Sequence, residues 1–84
     1  MRYSIRIKQS ALKEIEKIDK PTRFRIVKAI DELAENPHVG KALKGHLSGL
    51  RRIRVGNYRI VYEINQGEVL VLVLRVSHRS QAYR

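Results

Sequence analysis

Residues 50–64 read LRRIRVGNYRIVYEI, and the alternation in this stretch decides the fold. Ile53 and Val55 point one way and Arg52 and Arg54 the other, which is the period of two of a half-buried strand. Gly56-Asn57 then supplies a tight turn. Beyond it Tyr58, Ile60, Tyr62 and Ile64 share one face, while Arg59, Val61 and Glu63 share the other. Two strands joined by two residues form an antiparallel hairpin. One of its faces is apolar; the other is rich in guanidinium groups.

The neighbouring segments extend this hairpin. Asn65-Gln66-Gly67 predicts a second turn, and residues 68–76 follow as a strand apolar on both faces, the mark of a central position. Upstream, residues 38–49 (HVGKALKGHLSG) hold three glycines and no acid and read as a loop. Before the loop, Ile26, Val27, Ile30, Leu33 and Ala34 form the stripe of a helix stopped by Asn36-Pro37. Pro21 separates it from an earlier helix, with stripe Leu12, Ile15 and Ile18 and with Ser10 as N-cap. Residues 3–7 alternate again, with Tyr3, Ile5 and Ile7 on one side. The order strand, helix, helix, three-stranded antiparallel meander is α+β. The expectation is one domain, residues 1–84, with a helical hairpin packed on a single four-stranded sheet and the first strand beside the last.

Composition narrows the function. Cysteine is absent, so disulfides and thiolate metal sites are excluded. With 43% hydrophobic and 31% charged residues the chain is globular rather than disordered. Its longest apolar run, residues 69–74, falls far short of the roughly 20 residues that span a bilayer. The opening MRYSIRIKQ alternates and carries no signal-peptide apolar segment, so a cytoplasmic location and no membrane partner are expected. The net charge is +10, and it is unevenly placed. Residues 10–35 balance, whereas residues 36–62 contain six cations and no acid. A patch of this kind attracts a polyanion.

The eight acids form no cluster suited to Mg²⁺, and His38, His46 and His78 lack the spacing of a zinc site. No metal or other cofactor is therefore expected. What remains is a set of cations, a phenol and an imidazole, suited to a polyanionic transition state. RNA brings its own nucleophile to such a site: the 2′-OH attacks the adjacent phosphorus, charge grows on the phosphoryl oxygens, and the departing 5′-oxygen needs a proton. Fixed guanidiniums stabilise the charge, and a positioned side chain handles the proton.

Residues 43–64 (LKGHLSGLRRIRVGNYRIVYEI) followed by SHRSQAYR at 77–84 resemble the RelE-type toxins of the RelE/ParE superfamily, and the likeness covers nearly the whole chain. The resemblance implies a RelE-like fold, cleavage of messenger RNA in the ribosomal A site, and restraint by a co-expressed RelB-like antitoxin in a hetero-oligomer. The antitoxin is implied to be acidic where it covers the basic face. The implied sites are Arg52 and Arg54 in the second strand, Arg59 in the third, and Arg79 and Tyr83 in the tail. In the resulting assignment Arg54, Arg59 and Arg79 hold phosphate, and Tyr83 shares proton transfer with His78. Lys41, Lys44, His46, Arg51 and Arg52 contact RNA or the ribosome.

Relatives carry lysine where this chain has Arg52 and Arg54. Arginine stays protonated, so neither can act as a general base. A tyrosine of ordinary pKa is only about one part in a thousand ionised at pH 7, a fraction that neighbouring guanidiniums raise. Other readings stay open at this point. Arg59 also suits a sheet arginine paired with Glu63, and Arg79, His78 and Tyr83 also suit a solvated tail. Tyr3, Tyr58 and Tyr62 read as core, and His38 as a loop residue without a role. Phe24 lies about 160° from Ile26 around the helix, either as a staple on the interhelix turn or as an anchor for the antitoxin. Two further function classes compete with the nuclease: a ParE-like toxin that binds DNA gyrase without cutting RNA, and a noncatalytic RNA-binding module.

Overall fold

The structure, a computed structural model, describes residues 2–81. Strand β1 (Ser4–Ile7) leads into helices α1 (Gln9–Glu16) and α2 (Lys20–Glu32). Strands β2 (Lys41–Ala42), β3 (Leu50–Val55), β4 (Tyr58–Asn65) and β5 (Leu70–His78) follow. Single 3-10 turns occupy Pro37–Val39, Gly45–Leu47 and Arg79–Gln81. The fold is α+β, with both helices packed on one mixed sheet of order β1-β5-β4-β3-β2. β1 runs parallel to β5, with Ile5 opposite Val71, so the first strand does lie beside the last. The other pairs are antiparallel.

The sheet has five strands rather than the expected four. Lys41 and Ala42 pair with Arg52 and Arg51 along the edge of β3. Two residues in a glycine-rich segment carry no period to read. Their strand character comes from the backbone partners that β3 offers.

The apolar faces meet as their spacing requires. Ala11, Ile15 and Ile18, then Ile26, Ile30 and Leu33, are buried against Val55, Ile60, Tyr62, Val71, Val73 and Val76. Fully burying such a side chain is worth roughly 1.5–3 kcal/mol. Leu12 and Val27, expected in the stripes, are 45% and 50% exposed. Each helix rests on the sheet along a stripe narrower than its apolar sequence pattern.

Ser10 is not the cap of α1. The Lys8 amide donates to Val73 O at 2.9 Å, so β-pairing continues up to the helix and leaves Lys8 at the N-cap without a side-chain bond. The capping side chain belongs instead to Asp19, which accepts from the Thr22 amide at 3.2 Å and its hydroxyl at 3.0 Å. The Thr22 amide, followed by its hydroxyl, holds the Asp19 carboxyl below its ordinary value.

Two irregularities position the rest. On β5, Tyr62 pairs with Val73 and Val61 with Arg75, so Leu74 is an extra, bulged residue. The bulge shifts the alternation so that Val71, Val73 and Val76 all reach the core. Past the end of β1, Glu14 of α1 accepts from the Val76 amide at 2.8 Å and lies 3.5 Å from the Arg75 guanidinium, closing that edge. The second irregularity is a clasp. The fully buried Tyr62 hydroxyl donates to Pro37 O at 2.6 Å and accepts from the Gly40 amide at 3.0 Å. Any side chain at position 40 would collide with this hydroxyl, because a Cβ there would stand 2.2 Å from it.

Tyr62→Phe strands two buried backbone groups, at about 1–3 kcal/mol each. The expected loss is about 2–4 kcal/mol, a fall in Tm of roughly 10 °C or more for a domain of this size. Burial also pushes the Tyr62 hydroxyl above its ordinary value of 10.0. The unfolded chain therefore loses this proton first, and stability declines as pH rises past about 10 towards the folded value. Denaturant titrations between neutral and alkaline pH should show this decline in the wild type and a shallower one in Tyr62→Phe.

Candidate functional site

The sheet surface turned away from the helices carries the cations. Residues directly opposite in the ladder share a face. The register places Lys41 opposite Arg52, Arg52 opposite Val61, and Arg54 opposite Arg59. Arg59 in turn faces Ser77. Lys41, Arg52, Arg54 and Arg59 thus leave the sheet on the same side, opposite Ile53, Val55, Ile60 and Tyr62. Val61, on the cationic face, is only 7% exposed, and the arginine stems flanking it in the ladder explain that cover. The Nε atoms of Arg52 and Arg59 are buried, so both guanidiniums stand on anchored stems.

The chain end joins this face. After β5 the Arg79 amide donates to Asn57 O at 2.7 Å, and Arg59 Nη1 donates to Arg79 O at 3.4 Å. The β3–β4 turn and the tail are thereby tied together. Gly56, at φ 59°, takes the left-handed conformation the two-residue turn needs. A cleft of about 280 Å³ opens there, lined by Arg54, Gly56, Asn57, Tyr58, Arg59 and Arg79. Three arginines, from two adjoining strands and the tail, thus line one small cleft.

The other expected residues distribute less uniformly. Glu63 faces Leu50 and Leu72, and it stands about 13 Å along the strand from Arg59. That separation removes the sheet-pairing alternative for Arg59. Arg51, expected on RNA, has the opposite alternation: its Nη1 donates to Gly40 O at 2.8 Å and His38 O at 3.3 Å, reinforcing the Tyr62 clasp. His78 pairs with Tyr58 in the ladder, edge-on to its ring at a centroid distance of 5.4 Å. Its Nδ1 accepts from the Ser80 amide at 3.3 Å and contacts Ser80 Oγ at 3.0 Å. It lines a separate cleft with Glu14, Lys17, Ile18, Val76 and Ser77, so the structure does not bring it among the arginines. Tyr58 borders both spaces. Lys41, Lys44 and Arg52 border a third cleft with Ala42, Leu43 and Leu47, and His46 is exposed on the adjacent 3-10 turn. Phe24 is 72% exposed and does not act as a staple. Tyr83 lies outside the described residues.

Sequence reasoning missed the part played by Asn57, whose carbonyl receives the tail. Its only signal was the turn itself, and a bond to a residue 22 positions away leaves no local pattern. Among the described residues, no three histidine, aspartate or glutamate side chains gather in a way that could hold a metal.

With this geometry in place, the family becomes evident. A family model described as the ParE toxin of a type II toxin–antitoxin system matches residues 5–83. The chain belongs to the RelE/ParE toxin superfamily. Toxin RelG of Mycobacterium tuberculosis is 34% identical over 86 residues, covering 100% of this chain and 99% of that one. The mRNA interferase toxin RelE of Escherichia coli is 29% identical over 84 residues, covering 98% and 88%. In the crystal structure of the M. tuberculosis toxin–antitoxin complex RelBE2, a chain 30% identical superposes with a TM-score of 0.87, covering 96% of this chain and 95% of that one. As in other members of the superfamily fold, two helices lie on one sheet, which here leaves the arginine-bearing face uncovered.

A stability comparison separates the two kinds of arginine. Arg51→Gln should lower Tm, because it releases the loop carbonyls. Arg54→Gln should leave Tm unchanged or raise it, because it relieves a like-charge pair directly opposite Arg59. Thermal unfolding of both variants at low salt checks this.

Proposed function

We propose that this toxin cleaves messenger RNA on the ribosome, in the A site, and so arrests translation. The supporting observation is the convergence of Arg54, Arg59 and Arg79 on one small cleft. In the reaction the 2′-oxygen forms a bond to phosphorus and the P–O5′ bond breaks. The 2′ proton leaves and a proton arrives on the 5′-oxygen, giving a cyclic phosphate and a free 5′-OH. The three guanidiniums bear the charge that gathers on the phosphoryl oxygens, and each such donor is worth about 10²–10³ in rate. On this reading Tyr83 supplies proton transfer, and His78, placed in the neighbouring cleft, contributes through the tail it orders at Ser80. The name borne by the E. coli relative supports the same activity.

The proposed partner in restraint is a cognate antitoxin, acidic where it meets the cationic face, in keeping with the toxin–antitoxin assembly of the M. tuberculosis relative. Its second foothold is the groove around Phe24. Phe24 and Val27 offer an exposed apolar strip in a groove shared with Lys20 and Arg23, suited to an amphipathic helix with flanking carboxylates.

A second reading is favoured by the description of the matching family model: a ParE-like toxin that inhibits DNA gyrase by binding, without cutting RNA. Purified toxin on programmed ribosomes discriminates between them. Arg59→Ala is expected to slow single-turnover cleavage about 10²–10³-fold, and Tyr83→Phe at least about tenfold, with transcript ends mapped by primer extension. Loss of gyrase supercoiling with no transcript cuts would transfer the function to the second reading. For the partner, Phe24→Ala should weaken antitoxin binding at least about fivefold by calorimetry while leaving Tm unchanged. An unaltered Kd removes Phe24 from the interface.

A further inference from the structure

The cleft beside β2 stands on the same sheet face as the arginine cleft but takes no part in the reaction assigned above. Its lining combines three cations, Lys41, Lys44 and Arg52, with the aliphatic Ala42, Leu43 and Leu47. Its volume is about 370 Å³. A nucleotide presents those two surfaces together, a charged phosphodiester and an apolar base face. The register fixes how the two clefts relate. Lys41 and Arg52 make one rung of the ladder, and Arg54 and Arg59 make another, two residues further along β3. Two residues of strand are about 7 Å, close to the step between neighbouring phosphates of an extended single strand. Glu63 lies two residues beyond Val61 on the same face and ends the cationic track on that side.

The site is also held in place, although β2 is only two residues long. Gly40, the residue before Lys41, has its amide bound to the Tyr62 hydroxyl and its carbonyl to Arg51. The Leu43 amide donates to Leu50 O at 2.9 Å on the far side of β2. Lys41 therefore projects from backbone anchored both before and after it.

We infer that the Lys41–Lys44–Arg52 cleft is a second phosphodiester subsite, which takes the nucleotide next to the scissile phosphate on the same RNA strand and sets its register. The inference rests on the reading that Arg54, Arg59 and Arg79 hold the scissile phosphate. It assigns Lys41 and Lys44 to positioning rather than to chemistry.

Binding of uncleavable 2′-O-methyl oligoribonucleotides to the full chain tests it. A trinucleotide carries one more phosphodiester than a dinucleotide and should bind at least about fivefold tighter at low salt. In the double variant Lys41→Ala/Lys44→Ala, that ratio should fall to near one, and the salt slope for the trinucleotide should shrink by about 0.7 for each phosphate no longer neutralised. Both lysines are exposed, so the variant keeps the fold, and an unchanged far-UV spectrum verifies this. A ratio near one in the wild type, or a ratio that survives in the double variant, overturns the subsite. So does a double variant whose only defect is weaker binding to ribosomes, because the lysines would then serve ribosomal RNA. The underlying reading fails separately, and visibly, if Arg59→Ala leaves dinucleotide affinity unchanged.

Discussion

Side chains leave a strand alternately on its two sides, and this alternation governs where the central cations of the protein stand. Ile60 and Tyr62 are anchored in the core, with Val55 beside them, against Ile26 and Ile30. Arg52, Arg54 and Arg59 must then leave by the other face. A register slip of one residue would drive three guanidiniums into the helix interface and expose the tyrosine and isoleucines. Apolar burial thus specifies the cationic face as firmly as it specifies the core. Because the arginines gain their common direction from residues on the opposite face of the sheet, the face is assembled before any ligand arrives.

Where the regular pleat would fail to place a group, a local device intervenes. The bulge at Leu74 lets β5 bury Val76 as well as Val73. The Tyr62 hydroxyl binds Pro37 O and the Gly40 amide from the core side, and Arg51 adds the Gly40 carbonyl. Core packing of one tyrosine therefore reaches the edge of the sheet and fixes the strand from which Lys41 projects. Arg51 differs from Arg52 by one position and thus by a face. One holds the loop, and the other borders the cleft that the loop helps to form.

Alternation and helical spacing made the hairpin, the two helices, the pairing of β1 with β5 and the shared face of Arg52, Arg54 and Arg59 legible from sequence. These are patterns of period two or 3.6 supported by several residues each. What escaped has no period. β2 is two residues paired through backbone alone, the Leu74 bulge lies inside a run apolar on both faces, and the Asp19 cap sits where Pro21 drew attention to the break. Arg51 was grouped with the RNA contacts by its charge, whereas its parity with Ile53 already set it on the other side of the strand, where it donates to His38 O and Gly40 O. His78 was grouped with the arginines because it is next to Arg79 in sequence. Arg79 lies past the strand, whereas His78 pairs with Tyr58, and that parity sets it away from Arg59 and in the other cleft.

The choice of arginine on β3 has a consequence for the chemistry. Like charges directly opposite each other, as at Arg54 and Arg59, weaken an antiparallel pair, so the arrangement subtracts stability from a fold of small size that has little in reserve. An anion in the cleft reverses the sign of that contribution, and binding and folding become linked. Arginine suits this use: its planar fork is held by a stem whose Nε is buried at Arg59 and at Arg52, and it keeps its charge throughout. The same permanence means that these strands can hold phosphate but cannot shuttle a proton. On the proposed reading the proton-transfer group has to come from the segment that begins at Arg79, which the fold ties to the β3–β4 hairpin with two hydrogen bonds, one to Asn57 in the turn and one from Arg59 in β4.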